Sequence, residues 1–239
     1  MCIRDSVFRG APLPEILSGR INFEVMGANT WRHVDTLDAM ATGTRRLFLS
    51  GQRQGDRLQF TEIAGSGGAE LTVDLADRSD VDVQIPFDQL DTRNALVFAT
   101  APLDAPIEID GFFHAAFDIT TNKRDFDLSV GLFEQTADGG FFALSSYLGR
   151  ASYMADRSRR RLLTPGRVHH MSFESQTVTA RRLEAGSRIV AVIGVPRQPE
   201  FQINYGTGRD VSDESIADAG QPLQIRWTDR SYIELGVRQ

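Results

Sequence analysis

The chain has 239 residues, of which 41% are hydrophobic and 24% charged, a balance typical of a soluble globular protein. Its net charge of −6 argues against binding to nucleic acid or to an anionic membrane surface, because both of those partners are themselves negative. The sequence contains no apolar run of about 18 residues, so it predicts no transmembrane helix. The single cysteine, Cys2, excludes an internal disulfide and a cysteine-based metal cluster.

The N-terminal segment lacks the basic, apolar and small-residue succession of a signal peptide, and the sequence leaves the compartment open. Residues 1–6 (MCIRDS) are interpreted as translated adapter sequence at the edge of a metagenomic gene; a native, disordered terminus is the alternative. On the first interpretation the gene is interrupted upstream. Residues 7–18 are then expected to be a linker or the tail of a preceding domain.

Alternation of apolar and polar residues with a period of two dominates the rest of the chain, and this period predicts half-buried strands. It is clearest from Ile107 to Ile119 and recurs from Phe126 to Leu132. Ser187 to Gly194 is apolar on both faces, which predicts a central, fully covered strand. Further predicted strands lie at 21–26, 45–50, 70–75, 95–100, 141–147, 168–174, 223–227 and 233–237.

Turn residues separate these strands. Asp138-Gly139-Gly140 predicts a hairpin tip, and Val211 to Ala219 predicts one short turn or helix capped by Ser212 or Asp213. About twelve short strands without intervening helices predict an all-β fold with few or no helices. We expect a galactose-binding-like jelly-roll β-sandwich over residues 19–239.

Several blocks resemble, in order, the C-terminal β-domain of the X-Pro dipeptidyl-peptidase / cocaine esterase / α-amino-acid ester hydrolase family. The opening block is Val25 to Arg32 (VMGANTWR), and Arg45 to Gly51 (RRLFLSG) is similar to the next strand of that domain. The later blocks are 94–103 (NALVFATAPL), 125–126 with 138–139 (DF and DG), 149–153 (GRASY), 163–166 (LTPG) and 204–208 (NYGTG).

The resemblance also has departures. Lys123 stands where the family commonly has the first Asp of "DTDF", and Met154 replaces the second Arg of "RARYR". The family's "DP–PVP" loop is not recognisable around Asp80 to Pro86. The departures concern the subfamily, and with it the substrate, rather than the positions of the core.

The resemblance implies a serine hydrolase whose catalytic α/β-hydrolase domain precedes this β-domain and whose chemistry passes through an acyl-serine intermediate. This chain is then a C-terminal, non-catalytic fragment that packs on the catalytic domain and shapes its cleft. We expect no catalytic, cofactor-binding or metal-ligating residues within it and no turnover by the chain alone. The expected partner is the missing hydrolase domain, with a homo-oligomer as a second possibility.

A nucleophile elbow needs the pattern G-x-S-x-G, which is absent from the sequence. Ser66, in the run AGSGG, is wrongly spaced and is interpreted as part of a flexible loop. His169 and His170 are adjacent on a predicted strand, so they point to opposite faces and cannot coordinate the same metal ion. His33 is expected in a surface loop, and His114 on a polar face toward solvent or an interface.

Three further features of the sequence bear on function. Asp118, Asp125 and Asp127 lack the spacing of an EF-hand, although other calcium geometries stay open. The remaining features are the basic run 157–161 and the two tryptophans at 31 and 227. The basic run is expected to be a solvated loop or to pair with the absent domain, and both tryptophans are expected to be buried. Sugar stacking by the tryptophans would instead favour the alternative function, a free-standing carbohydrate-binding β-sandwich module.

Overall fold

A computed structural model describes residues 7–79, 83, 85–86, 89–198 and 201–238. Residues 1–6, interpreted above as adapter sequence, lie outside this part. The described chain is nearly all β, which confirms the predicted fold class. Its strands are β1 (Ile21–Val25), β2 (Thr30–Val34), β3 (Gly43–Gln54), β4 (Arg57–Thr61), β5 (Ala69–Val73), β6 (Ala95–Ala99), β7 (Ile107–Thr121), β8 (Asp127–Gln135), β9 (Phe141–Arg150), β10 (His169–Glu174), β11 (Thr179–Leu183), β12 (Arg188–Gly194), β13 (Leu223–Trp227) and β14 (Tyr232–Arg238).

The long strand β7 organises the main sheet. It pairs antiparallel with β10 and β11 along one edge and with β13 and β14 along the other. From β14 the pairing continues through β3, β4, β6, β12 and β8 to β9, while β5 pairs with β13. The pairs are antiparallel except for β4 with β6.

Strand β9, at the far end of this path, lies next to the connection between β10 and β11, which pair with β7. The backbone N–H of Gln176, between β10 and β11, donates to the carbonyl of Ser146 on β9 at 2.8 Å. Nearby, the Thr179 hydroxyl donates to the carbonyl of Leu144. The strands therefore wrap around one apolar core as an all-β sandwich. The jelly-roll connectivity stays a prediction.

The alternation in β7 explains its position in the core. Ile109, Phe113, Ala115, Phe117 and Ile119 are buried on one face, as predicted. The Phe117 ring lies edge-on to the rings of Phe173 and Trp227, at centroid distances of 5.3 and 6.4 Å. Aromatic pairs in this arrangement add to the stabilisation from burial alone. Trp227 is 2% exposed, which confirms the prediction that it belongs to the core.

Strand β12 and the tip of the β8–β9 hairpin lie as the sequence predicts. β12 lies between β6 and β8 with Ile189, Val190, Ala191 and Ile193 fully buried, which confirms it as a central strand. Gly139 has φ +96°, as the predicted hairpin tip between β8 and β9 requires.

The predicted helix at 211–219 is two short 3₁₀ turns, Val211–Asp213 and Ile216–Asp218. Asp210 and Ser215 occupy the positions that precede these turns, so the predicted caps, Ser212 and Asp213, are wrong. The Asp210 side chain accepts a hydrogen bond from the backbone N–H of Ser212, so Asp210 caps the turn Val211–Asp213. Sequence reasoning also missed β2, β4 and β11 as strands.

Candidate functional site

The N-terminal hairpin, β1 with β2, forms a two-stranded sheet of its own. It joins the sandwich through Met26, whose N–H donates to the carbonyl of Ala180 and whose carbonyl accepts from the N–H of Arg182, both at 2.9 Å. Gly27 has φ +85°, and a Cβ there would lie 2.8 Å from the Arg182 carbonyl oxygen. A glycine is therefore required where the hairpin meets β11.

A partly buried ion pair adds a second attachment. Arg32 on β2 places Nη2 2.6 Å from Oε2 of Glu108 on β7, and the two side chains are 28% and 15% exposed. Asp110, two residues along β7, is buried, and its Oδ2 lies 3.3 Å from Nε of Arg238. Burial raises the pKa of the Asp110 carboxyl, while its hydrogen bond with Arg238 opposes that rise. The hairpin is thus held by the two backbone hydrogen bonds of Met26, by the Arg32–Glu108 ion pair and by the fully buried Val25 of β1.

Apolar side chains remain exposed on the hairpin and the segment before it. Trp31 is 43% exposed and Met26 36%, which shows that the expectation of a buried Trp31 is wrong. The physical reason is that β2 pairs only with β1 in the described structure, so no second layer covers its face. Ile16, 40% exposed, belongs to a 3₁₀ turn that contacts both strands, and Leu13 just before it is 63% exposed. We call Leu13, Ile16, Met26 and Trp31 the hairpin patch.

Ser66 lies in the loop between β4 and β5, where its carbonyl accepts a hydrogen bond from the Ser50 hydroxyl. The next segment, after two glycines, is strand β5 and not the helix that a nucleophile elbow requires. Gly68 allows a close approach of two backbones, because a Cβ there would lie 2.1 Å from the Trp227 carbonyl oxygen. The glycines of this loop therefore serve the close packing of two backbones, and nothing in its geometry marks Ser66 as a nucleophile.

The histidines are separated from one another. His169 is half-buried and contacts the backbone of Thr164, whereas His170 is exposed with Nδ1 2.8 Å from Oδ1 of Asp118, so the two do face opposite sides. His114 is exposed, 3.7 Å from the Glu174 carboxylate. His33 lies on strand β2, not in a loop as expected, because its partner Asn22 stands opposite on β1.

The three aspartates weighed as calcium ligands have separate partners. Asp118 pairs with His170, Asp125 with Arg160 at 3.0 Å, and Asp127 with Arg150 at 2.8 Å. Within the described ranges, no group of three His, Cys, Asp or Glu side chains is arranged to hold a metal ion. The expectation that the chain has no metal site stays a prediction.

The basic run is only partly a solvated loop. Arg157, Arg159 and Arg161 are exposed as expected, but Arg160 turns inward to the fully buried Asp125. A buried carboxylate requires a cation and hydrogen-bond donors, which a reading of the local sequence did not reveal. In the described part of the chain, no helix is long and apolar enough to cross a membrane.

The comparison with known families settles how this architecture is classified. A model described as the X-Pro dipeptidyl-peptidase C-terminal non-catalytic domain matches residues 18–229. The chain belongs to this family. The match runs from the segment before β1 to just past β13, and its description is that of a non-catalytic domain.

Among curated relatives, the domain is 22% identical over 219 residues to a cocaine esterase of Rhodococcus sp. (strain MB1 Bresler), covering 83% of this chain and 38% of that protein. Among solved structures, an α-amino acid ester hydrolase superposes with a TM-score of 0.79 at 21% identity, over 98% of this chain and 43% of the other. An aminopeptidase from a marine sediment Thaumarchaeota archaeon gives 0.78 at 20% identity, over 98% and 42%. The chain thus spans about two fifths of these relatives.

Three motifs that carry the family resemblance meet at one buried point. Asp125 is fully buried and accepts hydrogen bonds from the backbone of Phe126, from the backbone and hydroxyl of Ser152, and from Arg160. Beside it, Asp127 binds Arg150 through two hydrogen bonds and accepts one from Asn204. The residues of the DF, GRASY and NYGTG blocks therefore form a structural network that ties three distant segments together.

Two of the three departures from the family pattern, Lys123 and Met154, fit the same region. Of the third, around Asp80 to Pro86, residues 80–82 and 84 lie outside the described part of the chain. Lys123 donates from Nζ to the carbonyl of Ala219 at 2.5 Å, and burial lowers the pKa of its ammonium while Glu214 opposes the shift. Met154 is partly buried and packs against the core. Neither substitution removes a partner from Asp125.

Proposed function

We propose that this chain is the accessory β-domain of a serine hydrolase and that the hairpin patch packs on the catalytic α/β-hydrolase domain of the same polypeptide. The observation that carries the proposal is the exposure of Trp31 on a hairpin that backbone hydrogen bonds and a partly buried ion pair hold in place. Large aromatic side chains are typical anchors of protein interfaces. An anchor is most effective when its backbone is already positioned, because less conformational freedom is lost on docking.

The relatives support a catalytic part elsewhere in the parent protein. Each is named as an esterase, an ester hydrolase or an aminopeptidase, and this chain covers about two fifths of each. We infer that the parent hydrolyses an acyl ester or amide, with the nucleophile and the oxyanion hole supplied by the catalytic part. The β-domain contributes stability and one wall of the cleft. Residues 7–18 would then form the connection and residues 19–239 the domain.

Two measurements test this assignment. The isolated chain is expected to show no turnover of p-nitrophenyl esters or of an X-Pro-p-nitroanilide; inhibitor-sensitive activity would contradict it. Genomic DNA upstream of Val7 is expected to encode a G-x-S-x-G elbow, and a different domain there would favour the free-standing binding module.

Hydroxyl-radical footprinting tests the interface itself. In the isolated chain, at a concentration at which it is monomeric, Trp31 and Met26 are expected to oxidise readily, whereas in the full polypeptide both are protected. Trp227 is buried within the core and provides the control, since it stays protected in both. Equal oxidation of Trp31 in the two proteins would place the catalytic domain on another face.

A further inference from the structure

The outer face of the sheet formed by β9, β8, β12 and β6 carries a depression of about 430 Å³. Its floor is a row of small residues, because Ser129 stands opposite Gly194 and Gly194 stands opposite Ala95 on three adjacent strands. Ser146 and Gly131 form a second such pair one row along. Since neighbouring strands lie about 4.8 Å apart, this floor is roughly 10 Å wide, similar to a single sugar ring with its hydroxyls.

The small residues are required by their neighbours. A Cβ on Gly131 would lie 2.7 Å from the Phe133 ring, so that ring leans over the floor. A Cβ on Gly194 would lie 2.7 Å from Cβ of Ala95. Outward positions on a sheet ordinarily carry side chains that fill this space, and here rigid strands leave it open.

The walls of the depression combine apolar side chains with amide groups that have donor and acceptor sites left for a ligand. Phe133, Leu148 and Phe201 line it, and Phe201 is 38% exposed. Gln176 also lines it and uses one N–H and one oxygen lone pair on the backbone of Leu148, at 2.9 and 3.1 Å. A side-chain amide has two donors and two acceptor sites, so Gln176 retains one of each.

Gln198 repeats this arrangement at the rim. Its amide donates to Asp91 at 3.3 Å and accepts from the backbone N–H of Arg197 at 3.1 Å, which again leaves one donor and one acceptor. Asp91 is already neutralised by Arg93, at 2.8 Å from Nε and 2.7 Å from Nη2, and this contact lowers the pKa of the Asp91 carboxyl. Among the residues that the structure describes, the depression therefore presents no uncompensated carboxylate.

We infer that this depression is a binding site for a neutral pyranose sugar. A pyranose has an apolar face that packs on aromatic rings and a rim of hydroxyls that both donate and accept. This chemistry is matched by the two amides, by the Ser146 hydroxyl and by the rings of Phe133 and Phe201. The Ser129 hydroxyl donates to the Gly194 carbonyl at 3.3 Å and can still accept a hydrogen bond. In the described part of the lining, a charged ligand would find no unpaired counter-ion, because Asp91 and Arg93 bind each other. The volume lies within the range of small-ligand pockets and holds one or two sugar rings. This site is separate from the hairpin patch and does not depend on the proposed docking.

The test is a titration of the ¹⁵N-labelled chain with methyl β-D-glucopyranoside, methyl β-D-galactopyranoside and maltose, followed by NMR chemical shifts. Saturable shifts are expected at Gly131, Gly194 and the Gln176 side-chain amide. Glucose 6-phosphate serves as the charged comparison and is expected to bind more weakly than the neutral glycosides. The absence of saturable shifts with all three neutral sugars, or tighter binding of the phosphate, overturns the inference.

Matched variants locate the site. Ser146→Leu fills the floor from an exposed strand position and is expected to weaken binding by about tenfold or more, because a clash is an effective means of excluding a ligand. Ser172→Leu makes the same change at an exposed position of β10 and is expected to leave binding unchanged. Phe201→Ala, which removes a wall without entering the core, is expected to weaken binding severalfold. Equal affinity in Ser146→Leu and the original chain refutes the assignment.

Discussion

Replacing Asp125 by alanine is expected to cost about 3–5 kcal/mol of the free energy of unfolding, the range observed when one partner of a buried ion pair is removed. The carboxylate is fully buried and accepts four hydrogen bonds of 2.7–3.0 Å. Its loss leaves two buried backbone N–H groups and the Ser152 hydroxyl without their acceptor. Arg160 is 24% exposed and regains some hydration, which favours the lower end of the range.

Urea denaturation followed by circular dichroism measures this change, and for a domain of this size it corresponds to a fall in Tm of roughly 6–20 °C. Asp125→Asn is expected to cost less, because it keeps the shape and part of the acceptor capacity. Combining Asp125→Ala with Arg160→Met should cost no more than Asp125→Ala alone, since both remove the same pair. Asp104→Ala, at an exposed position, serves as the control. A loss below about 1 kcal/mol for Asp125→Ala would refute the network as a stabilising feature.

Three other predictions concern separate regions. Because burial raises the pKa of Asp110, its carboxyl contributes most to stability below the unfolded pKa of about 3.9, and that contribution is lost as the pH rises through the folded value. The stability of the original chain relative to Asp110→Asn should therefore fall with rising pH in denaturation curves; a constant difference would contradict this. The isolated chain is expected to self-associate through the hairpin patch, because large exposed apolar patches favour association. Light scattering should show a smaller assembly for Trp31→Ser than for the original chain. Ile63→Ala changes an apolar residue that is 75% exposed outside the patch and should leave the assembly unchanged. A monomer at high concentration would count against that surface. Gly68→Ala should lower the free energy of unfolding by about 1–3 kcal/mol, because the new Cβ would clash with the Trp227 carbonyl oxygen. Gly43→Ala should be nearly neutral, because the atom nearest to its new Cβ lies 3.9 Å away. Similar melting temperatures for the two variants would show that the loop around Gly68 adjusts.

Period-two alternation predicted the strands best where one face is buried and the other exposed, as in β7, β8, β13 and β14. It failed for β11, where two arginines interrupt the pattern and pairing with β7 decides the structure. It also failed for Trp31, because hydrophobicity indicates a preference for burial but not whether a second layer is present to provide it.

The remaining misses depend on long-range register. The alternation from Ile107 to Ile119 puts Asp110 on the polar face, yet Asp110 is buried and Gly111 introduces an irregularity with φ +89°. The cation beside Asp110 comes from Arg238, more than a hundred residues later. The depression on β8, β12 and β6 likewise arises when small residues from distant segments fall into one row. Sequence patterns give the faces of a strand but not its neighbours.

The position of β14 has a consequence for how the domain is made. This strand is the last in chain order, yet it pairs with β3 on one side and β7 on the other. Because β14 joins these two strands, the sheet is complete only once this segment has been synthesised and has paired with both of them. Until then the edges of β3 and β7 are open, and a nascent chain stalled just short of β14 is the form that chaperones would need to shield.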